Sequence, residues 1–318
     1  MPEFVVWGIV FVVSLGVLVL AADFFIKSAE RIGLAIGIPP FLVGVTLIAM
    51  GTSLPELVTS IAAVLGGSST SVIVVGNVLG SNITNICLVL GLVGIVARKV
   101  SLQFDVMRVD LPMMLGAAIL MYLISMDGVI SFMEGLILMA ALIMYLMYVV
   151  QLGRDEKEKK GEEDSTDSKI HWKEPIILIV SSAFIYLSAK YNVESIIELS
   201  QILEIGEEVI ALTAVALGTS LPELVVSLVA IRNGNAEMAV GNVLGSNVFN
   251  IFAVVGIPRM FGAIVVPDGI LNFSLPMMLG VTLLCVIIVK DRIVNRWEGW
   301  ILLLMYLLFL IQELKLDF

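Results

Sequence analysis

Gly51-Thr52-Ser53-Leu54-Pro55-Glu56-Leu57-Val58 recurs letter for letter as Gly218-Thr219-Ser220-Leu221-Pro222-Glu223-Leu224-Val225. A second peptide follows each copy: Gly76-Asn77-Val78-Leu79-Gly80-Ser81-Asn82 returns as Gly241-Asn242-Val243-Leu244-Gly245-Ser246-Asn247. All four lie in stretches apolar enough to sit in a bilayer. Each half therefore brings one carboxylate, several hydroxyls and amides, and a helix-breaking Gly and Pro to membrane depth. Such groups are costly there and mark an ion or substrate path. Their duplication says that two halves build one site between them.

Working outward, the composition agrees. Hydrophobic residues are 59% of the chain and charged residues 14%, well away from soluble averages of about half and a quarter. Apolar runs near the ~20 residues needed to cross a bilayer recur from end to end. The net charge of -10 comes with no basic patch interleaved with aromatics, so nucleic acid is not an expected partner; the lipid bilayer is. The first apolar run, from Val5, lacks a basic leader and reads as a retained span. Cys87 and Cys285 both lie in apolar runs, and His171 is the single histidine. No zinc, haem or iron-sulfur spacing is present, and no cofactor is expected.

Ten spans are expected, near 5–25, 40–65, 72–96, 109–125, 129–151, 174–198, 207–231, 236–257, 270–289 and 297–314. The fold class is thus an all-α polytopic membrane protein. The one long polar stretch contains Arg154-Asp155-Glu156-Lys157-Glu158-Lys159-Lys160 and Glu162-Glu163-Asp164. It cannot bury a core, and it lacks the ligand spacing of an EF-hand. It divides the chain into a first five-helix repeat, 1–152, a charged linker, 153–173, and a second repeat, 174–318.

An external amino terminus puts fifteen of the eighteen basic residues inside, leaving only Lys190, Arg259 and Lys315 outside. The positive-inside rule favours this arrangement, with both termini outside and the linker cytoplasmic. An odd number of spans per half then makes the second repeat cross in the opposite sense. The expectation is two inverted five-helix repeats with broken helices at the centre.

Within the motif, Pro55 has no N–H for the carbonyl of Gly51, and its ring crowds that turn. The helix should break there and free carbonyls near Ala49 and Gly51. Irregular backbone at membrane depth needs a partner in protein or water, and a cation can be that partner. Ser53 and Glu56 also have the spacing of a capping box, so a kinked, capped helix is the plain structural alternative. Gly76 with Gly80, and Gly241 with Gly245, present small faces that should let each third span approach the second span of its own half. Ser81 and Asn85, like Ser246 and Asn250, are four apart and share a face.

A purely structural role must account for two charges at bilayer depth. Each costs ~2.5–3.5 kcal/mol at the bilayer centre, and neither motif contains Lys or Arg. A cation is the obvious missing partner, unless the acids are protonated. Carboxylate, hydroxyl, amide and carbonyl oxygens make a hard site suited to calcium or sodium, and the absence of thiol, thioether or imidazole disfavours copper and zinc. Two negative charges balance one calcium or two monovalent ions, which suits an antiporter. The residues alone do not choose the ions.

The paired Gly-Thr-Ser-Leu-Pro-Glu and Gly-Asn-x-x-Gly-Ser-Asn segments resemble the two alpha repeats of the sodium/calcium exchanger family, in the cation/calcium exchanger superfamily. The prokaryotic or archaeal type, without a large regulatory domain, is the nearer likeness. The resemblance implies exchange of Na+ for Ca2+ by alternating access, with the first and sixth spans sliding over the site. It implies metal ligands at Ala49 (carbonyl), Thr52, Ser53, Glu56, Ser81 and Asn85. From the second half it implies Ala216 (carbonyl), Thr219, Ser220, Glu223, Ser246 and Asn250. Some members, including potassium-dependent ones, carry Asp at the position of Asn250. The amide here leaves two acids in the cluster, not three, which weighs against potassium dependence.

A proton/calcium antiporter is the close rival, and sodium dependence of calcium flux separates the two. A cation channel is more distant, since a pore normally uses a ring of subunits and both motifs here lie in one chain, for which a monomer suffices. No nucleophile and base pair is apparent, so an enzyme is not expected.

Overall fold

The computed structural model describes residues 3–106, 110–159, 171–203 and 220–313. Apolar chain in lipid must satisfy its own backbone, which forces helices. In order these are α1 (Glu3–Ile36), α2 (Pro40–Val43), α3 (Ala49–Thr52), α4 (Leu54–Leu65), α5 (Ser68–Thr84), α6 (Gly91–Ala97), α7 (Asp110–Ser125), α8 (Phe132–Lys159) and α9 (Lys173–Ile202). There follow α10 (Leu221–Arg232), α11 (Ala236–Phe249), α12 (Gly256–Arg259), α13 (Leu275–Val289) and α14 (Arg296–Glu313). Wider π-helical turns at Gly44–Ile48, Asn85–Leu90, Asn250–Val255 and Ile270–Ser274 join several of these end to end.

Among the described residues, six helices are long and apolar enough to cross a membrane. A seventh crossing results if Pro40–Thr52 and Leu54–Leu65, bent by 41° at their junction, form one span. The expected fourth and tenth segments are helical too, as α7 and α14, but α7 is short and α14 carries charges at its start. The expected seventh segment, 207–231, is described only from Ser220 onward. The first and sixth spans, which the family resemblance implies to be long, run to 34 and 30 residues.

Burial separates a fixed centre from a periphery. The spans Ser71–Ala97 and Ala236–Arg259 are 78% and 94% buried over their apolar windows, whereas those of α1 and α9 are 17% and 28% buried. The two peripheral helices lie chiefly against each other. At one end the Glu174 carboxylate accepts from Ser28 Oγ at 2.9 Å and from Arg31 Nη1 at 3.0 Å. Further along, Asn192 Nδ2 donates to Ser14 Oγ at 3.1 Å.

Backbone contact at the centre depends on glycine, but not in the way the spacing suggests. A Cβ on Gly241 would collide with the Phe41 carbonyl, and one on Gly245 with the Val45 carbonyl. Helix α11 therefore seats its small face on the second span of the other half, not only on its own neighbour α10. Reciprocally, Gly44 leaves room for the Met238 backbone. For Gly76 and Gly80 no such contact occurs among the described residues. The stretch mirroring Phe41–Val45 in the second half, 208–212, lies outside them.

The halves are also tied at their ends. Lys99–Ser101 (β1) pairs antiparallel with Ile293–Asn295 (β4), and Val129–Ile130 (β2) pairs with Ile264–Val265 (β3). Leu111-Pro112-Met113-Met114-Leu115-Gly116, at the start of α7, recurs unchanged as Leu275 to Gly280 on α13, and the two helices pack together. A third repeated peptide thus lies at an interface between the halves, a signal that reading only the polar motifs passes over.

The glycine contact generates a test. Gly245→Ala should cost about 1–3 kcal/mol, the range of an overpacked core, whereas Gly16→Ala, with open space around its Cβ, should be tolerated. Thermal unfolding of detergent-purified protein measures both; equal melting temperatures for the two variants would contradict the packing.

Candidate cation site

The serine of the motif leaves helical geometry with closely similar angles in both copies. Ser53, between α3 and α4, has φ -88° and ψ 2°; Ser220, before α10, has φ -99° and ψ 5°. Pro55 cannot donate to Gly51, and the released carbonyl accepts from Ser182 Oγ of α9 at 2.9 Å. The carbonyl of Ala49 is not freed as expected. It accepts from Ser53 N–H at 3.1 Å and from Thr52 Oγ1 at 3.3 Å, because the turn ahead of the break stays helical.

The capping-box alternative does not form. Neither Ser53 nor Ser220 makes a side-chain cap bond, and neither carboxylate oxygen of Glu56 has a hydrogen-bond partner. Instead Ser53 Oγ turns across the interface to Glu223 Oε1 at 3.5 Å. The serine is spent on the other half's acid.

The third spans contribute through a second irregularity. The π-helical turns of both begin at matching asparagines, Asn85 and Asn250. One extra residue per turn re-aims the side chain, and such turns gather at functional sites. Both asparagines are fully buried. Asn250 Nδ2 donates to Ser81 Oγ at 3.2 Å and to Asn82 Oδ1 at 3.1 Å, and Asn82 Nδ2 donates to the Asn247 carbonyl at 3.1 Å. Thr52 Oγ1 donates to Asn242 Oδ1 at 3.3 Å, and Asn242 Nδ2 donates to Ser227 Oγ at 3.1 Å. Ser246 Oγ also reaches Asn242 Oδ1, at 3.5 Å. Four of these bonds cross between the halves, through Thr52, Ser81 and Asn82 of the first and Asn242, Asn247 and Asn250 of the second.

What remains unpaired is informative. Among the described residues, Glu56 Oε1 and Oε2, Glu223 Oε2, Asn85 Oδ1 and Nδ2, and Asn250 Oδ1 are buried without a hydrogen-bond partner. Buried polar atoms are nearly always paired, and an unpaired buried carboxylate costs several kcal/mol. All but the Asn85 amide nitrogen are oxygens that accept, and Ser53, three residues before Glu56, reaches the Glu223 carboxyl. Among the described residues no three of His, Cys, Asp and Glu come together, so the donor set is two acids with neutral oxygens. That set fits a hard cation.

Of the expected ligands, Thr52, Ser53, Glu56, Ser81, Asn85, Ser220, Glu223, Ser246 and Asn250 are all buried. Ala49 is buried beside them, while Ala216 and Thr219 lie outside the described residues. The sequence reading passed over Asn82, Asn242, Asn247 and Ser227 as parts of the network. The three asparagines stand in the repeated peptides, and Ser60 and Ser227 end the longer match Glu-Leu-Val-x-Ser. It also found no basic residue near the acids. Lys190 of α9 lines a cavity with Glu56, a proximity that only the fold creates.

The pattern of the sodium/calcium exchanger protein family matches residues 6–151 and 173–314. The chain is 31% identical to sodium/calcium exchanger MaX1 of Methanosarcina acetivorans over 95% of its own length and 97% of that protein's. It is 34% identical to inner membrane protein YrbG of Escherichia coli over 78% of each. Its fold is similar to a solved structure of the sodium-calcium exchanger NCX_Mj soaked with Na+ and Sr2+. The TM-score is 0.81 at 29% identity, covering 96% of this chain and 98% of that one.

Because Ser53 does not cap α4, Ser53→Ala should cost well under the about 1 kcal/mol of a lost cap. It should nonetheless weaken the protection that calcium gives against thermal unfolding. A full capping loss with an unchanged calcium response would return Ser53 to a structural role.

Proposed function

The chain belongs to the sodium/calcium exchanger protein family, and on that premise we propose that the buried oxygen cluster is where it exchanges Na+ for Ca2+ across the membrane. The observation that carries this reading is the pair of buried carboxyls, Glu56 and Glu223, with three of their four oxygens left without a hydrogen-bond partner among the described residues. Glu56 and Glu223 are the central ligands shared by both ions. Ala49, Thr52, Ser53, Ser81 and Asn85 complete the first half-site; Ala216, Thr219, Ser220, Ser246 and Asn250 complete the second. The Ala49 carbonyl joins when the Thr52 hydroxyl turns away from it. Two carboxylates balance one Ca2+ or two Na+, so either load relieves the same buried charge. An empty site is costly to carry across, which couples the two fluxes.

Alternating access falls to α1 and α9, the least buried spans, moving over the fixed centre. Both touch the first residue of the motif: the Phe25 ring lies where a Cβ on Gly51 would stand, and Ser182 holds the Gly51 carbonyl. A shift of the pair is therefore felt where the helix breaks.

The threading that suits this mechanism is ten crossings in two inverted repeats, 1–152 and 174–318, joined by a cytoplasmic linker, 153–173, with both termini outside. Contacts between loops support it, because each joins segments that this threading puts on one side. Cytoplasmic examples are β1 with β4, Arg31 with Glu174 and Asn235 with Glu30. External examples are β2 with β3 and Val265 with Ser71.

Purified protein in sodium-loaded vesicles should take up calcium when external sodium is removed. Glu56→Gln and Glu223→Gln should each abolish that uptake in folded protein. Near-parent flux in either variant would overturn the site, and uptake driven by a pH gradient without sodium would favour the proton-coupled rival. For the threading, Ser165→Cys in a chain lacking Cys87 and Cys285 should react with an impermeant thiol reagent only from the cytoplasmic side. Labelling from outside would invert the arrangement.

A further inference from the structure

Beyond the ligands themselves, a cavity of about 290 Å³ leads to Glu56, between the motif prolines Pro55 and Pro222 and one face of α9. That face carries Lys190, Glu194 and Glu198, one helical turn apart, running from mid-helix toward the end at Ile202. Among the described residues none of the three has an ion pair or hydrogen bond. The cavity thus has two unpaired carboxylates and one ammonium along its wall. At its base lies a third carboxylate that is fully buried and also without a partner.

The repeat shows that this arrangement belongs to one side only. The motif recurs 167 residues on, from Gly51 to Gly218, and the same interval takes Asp23 to Lys190, Lys27 to Glu194 and Arg31 to Glu198. Every charge is reversed. On α1 the Lys27 ammonium is held by Asp23 at 2.6 Å, and Arg31 is held by Glu174 at 3.0 Å. The end of α1 that mirrors the cavity wall is therefore basic and internally paired, while the wall itself is acidic and free.

We infer that Glu194, Glu198 and Lys190 form a charge filter on the external approach to Glu56, in which the two carboxylates gather calcium and sodium and the ammonium limits how strongly. The inference rests on the exchanger reading and on the threading that puts Ile202 outside. A unit charge about 10 Å from an ion in a water-like medium changes its local concentration about twofold for a monovalent and about fourfold for a divalent cation. The filter therefore favours calcium over sodium at the external mouth, whereas the matching face of α1 carries cations that are already paired. The exchanger is made asymmetric by residues that hold no ion in the bound state.

Sodium-driven calcium flux in right-side-out and inverted bacterial membrane vesicles at low ionic strength tests this. Glu194→Gln and Glu198→Gln should each raise the external KM for calcium about fourfold and for sodium about twofold. Lys190→Gln should lower both, a direction that damage to the fold does not produce. These effects should fade in about 0.5 M choline chloride and be absent in inverted vesicles, and they should fall on KM, where Glu56→Gln removes the maximal rate. Parent-like external KM values in all three variants, or equal shifts at both faces, would overturn the filter while leaving the exchanger intact. Absence of sodium-driven calcium flux in the parent would overturn the exchanger reading itself, and the filter with it.

Discussion

Two carboxyls buried without a basic partner set the terms for the rest of this molecule. Glu56 and Glu223 each sit on a helix that starts at a proline, and each is carried to the centre by its own half. A single such acid would be a liability to insertion and folding. Two of them, one from each half, are what the proposed exchange rests on: a site whose cheapest state would have a cation in it. The neighbouring hydroxyls and amides suit the same proposal, since several of their bonds cross between the halves and the Asn85 and Asn250 oxygens have no partner among the described residues.

The backbone around the acids is irregular in ways that follow from this demand. A proline releases the Gly51 carbonyl, and a serine from α9 takes it up. A π-helical turn begins at each of Asn85 and Asn250. Glycines at 44, 241 and 245 let main chain meet main chain between the halves. Irregular segments of this kind survive in lipid only when enclosed by protein, which is why the third and eighth spans are the most buried. The same enclosure leaves α1 and α9 on the outside, in contact with the motif yet weakly buried, which is what the proposed alternating access needs.

Much of this was legible in the residues. A repeated carboxylate motif at bilayer depth pointed to a shared ion path over a merely capped helix, and the break at Pro55 follows from covalent geometry. What local spacing could not supply was partner choice across the halves. Ser53 and Glu56 read as a capping box, but the helix start lies beside another buried acid, and Ser53 turns to it. Gly241 and Gly245 read as a face for their own neighbour, but the tightest contact goes to Phe41 and Val45. Lys190 read only as a basic residue of the external side, with no sign that it shares a cavity with Glu56. Each difference has one cause: a pattern along one helix reports a face and cannot report which helix covers it. The reversed charges of Asp23, Lys27 and Arg31 against Lys190, Glu194 and Glu198 were in the sequence throughout. They acquire meaning only once a cavity runs along one of the two faces.

The central claim is that Glu56 and Glu223 make one site and not two. Equilibrium binding of radioactive calcium to the purified protein, with Glu56→Gln and Glu223→Gln in parallel, tests it most directly. The account predicts one calcium per chain, displaced by sodium, and loss of that calcium in each variant alone. Two calcium ions per chain, with one retained in each variant, would mean that each half binds by itself and would contradict it.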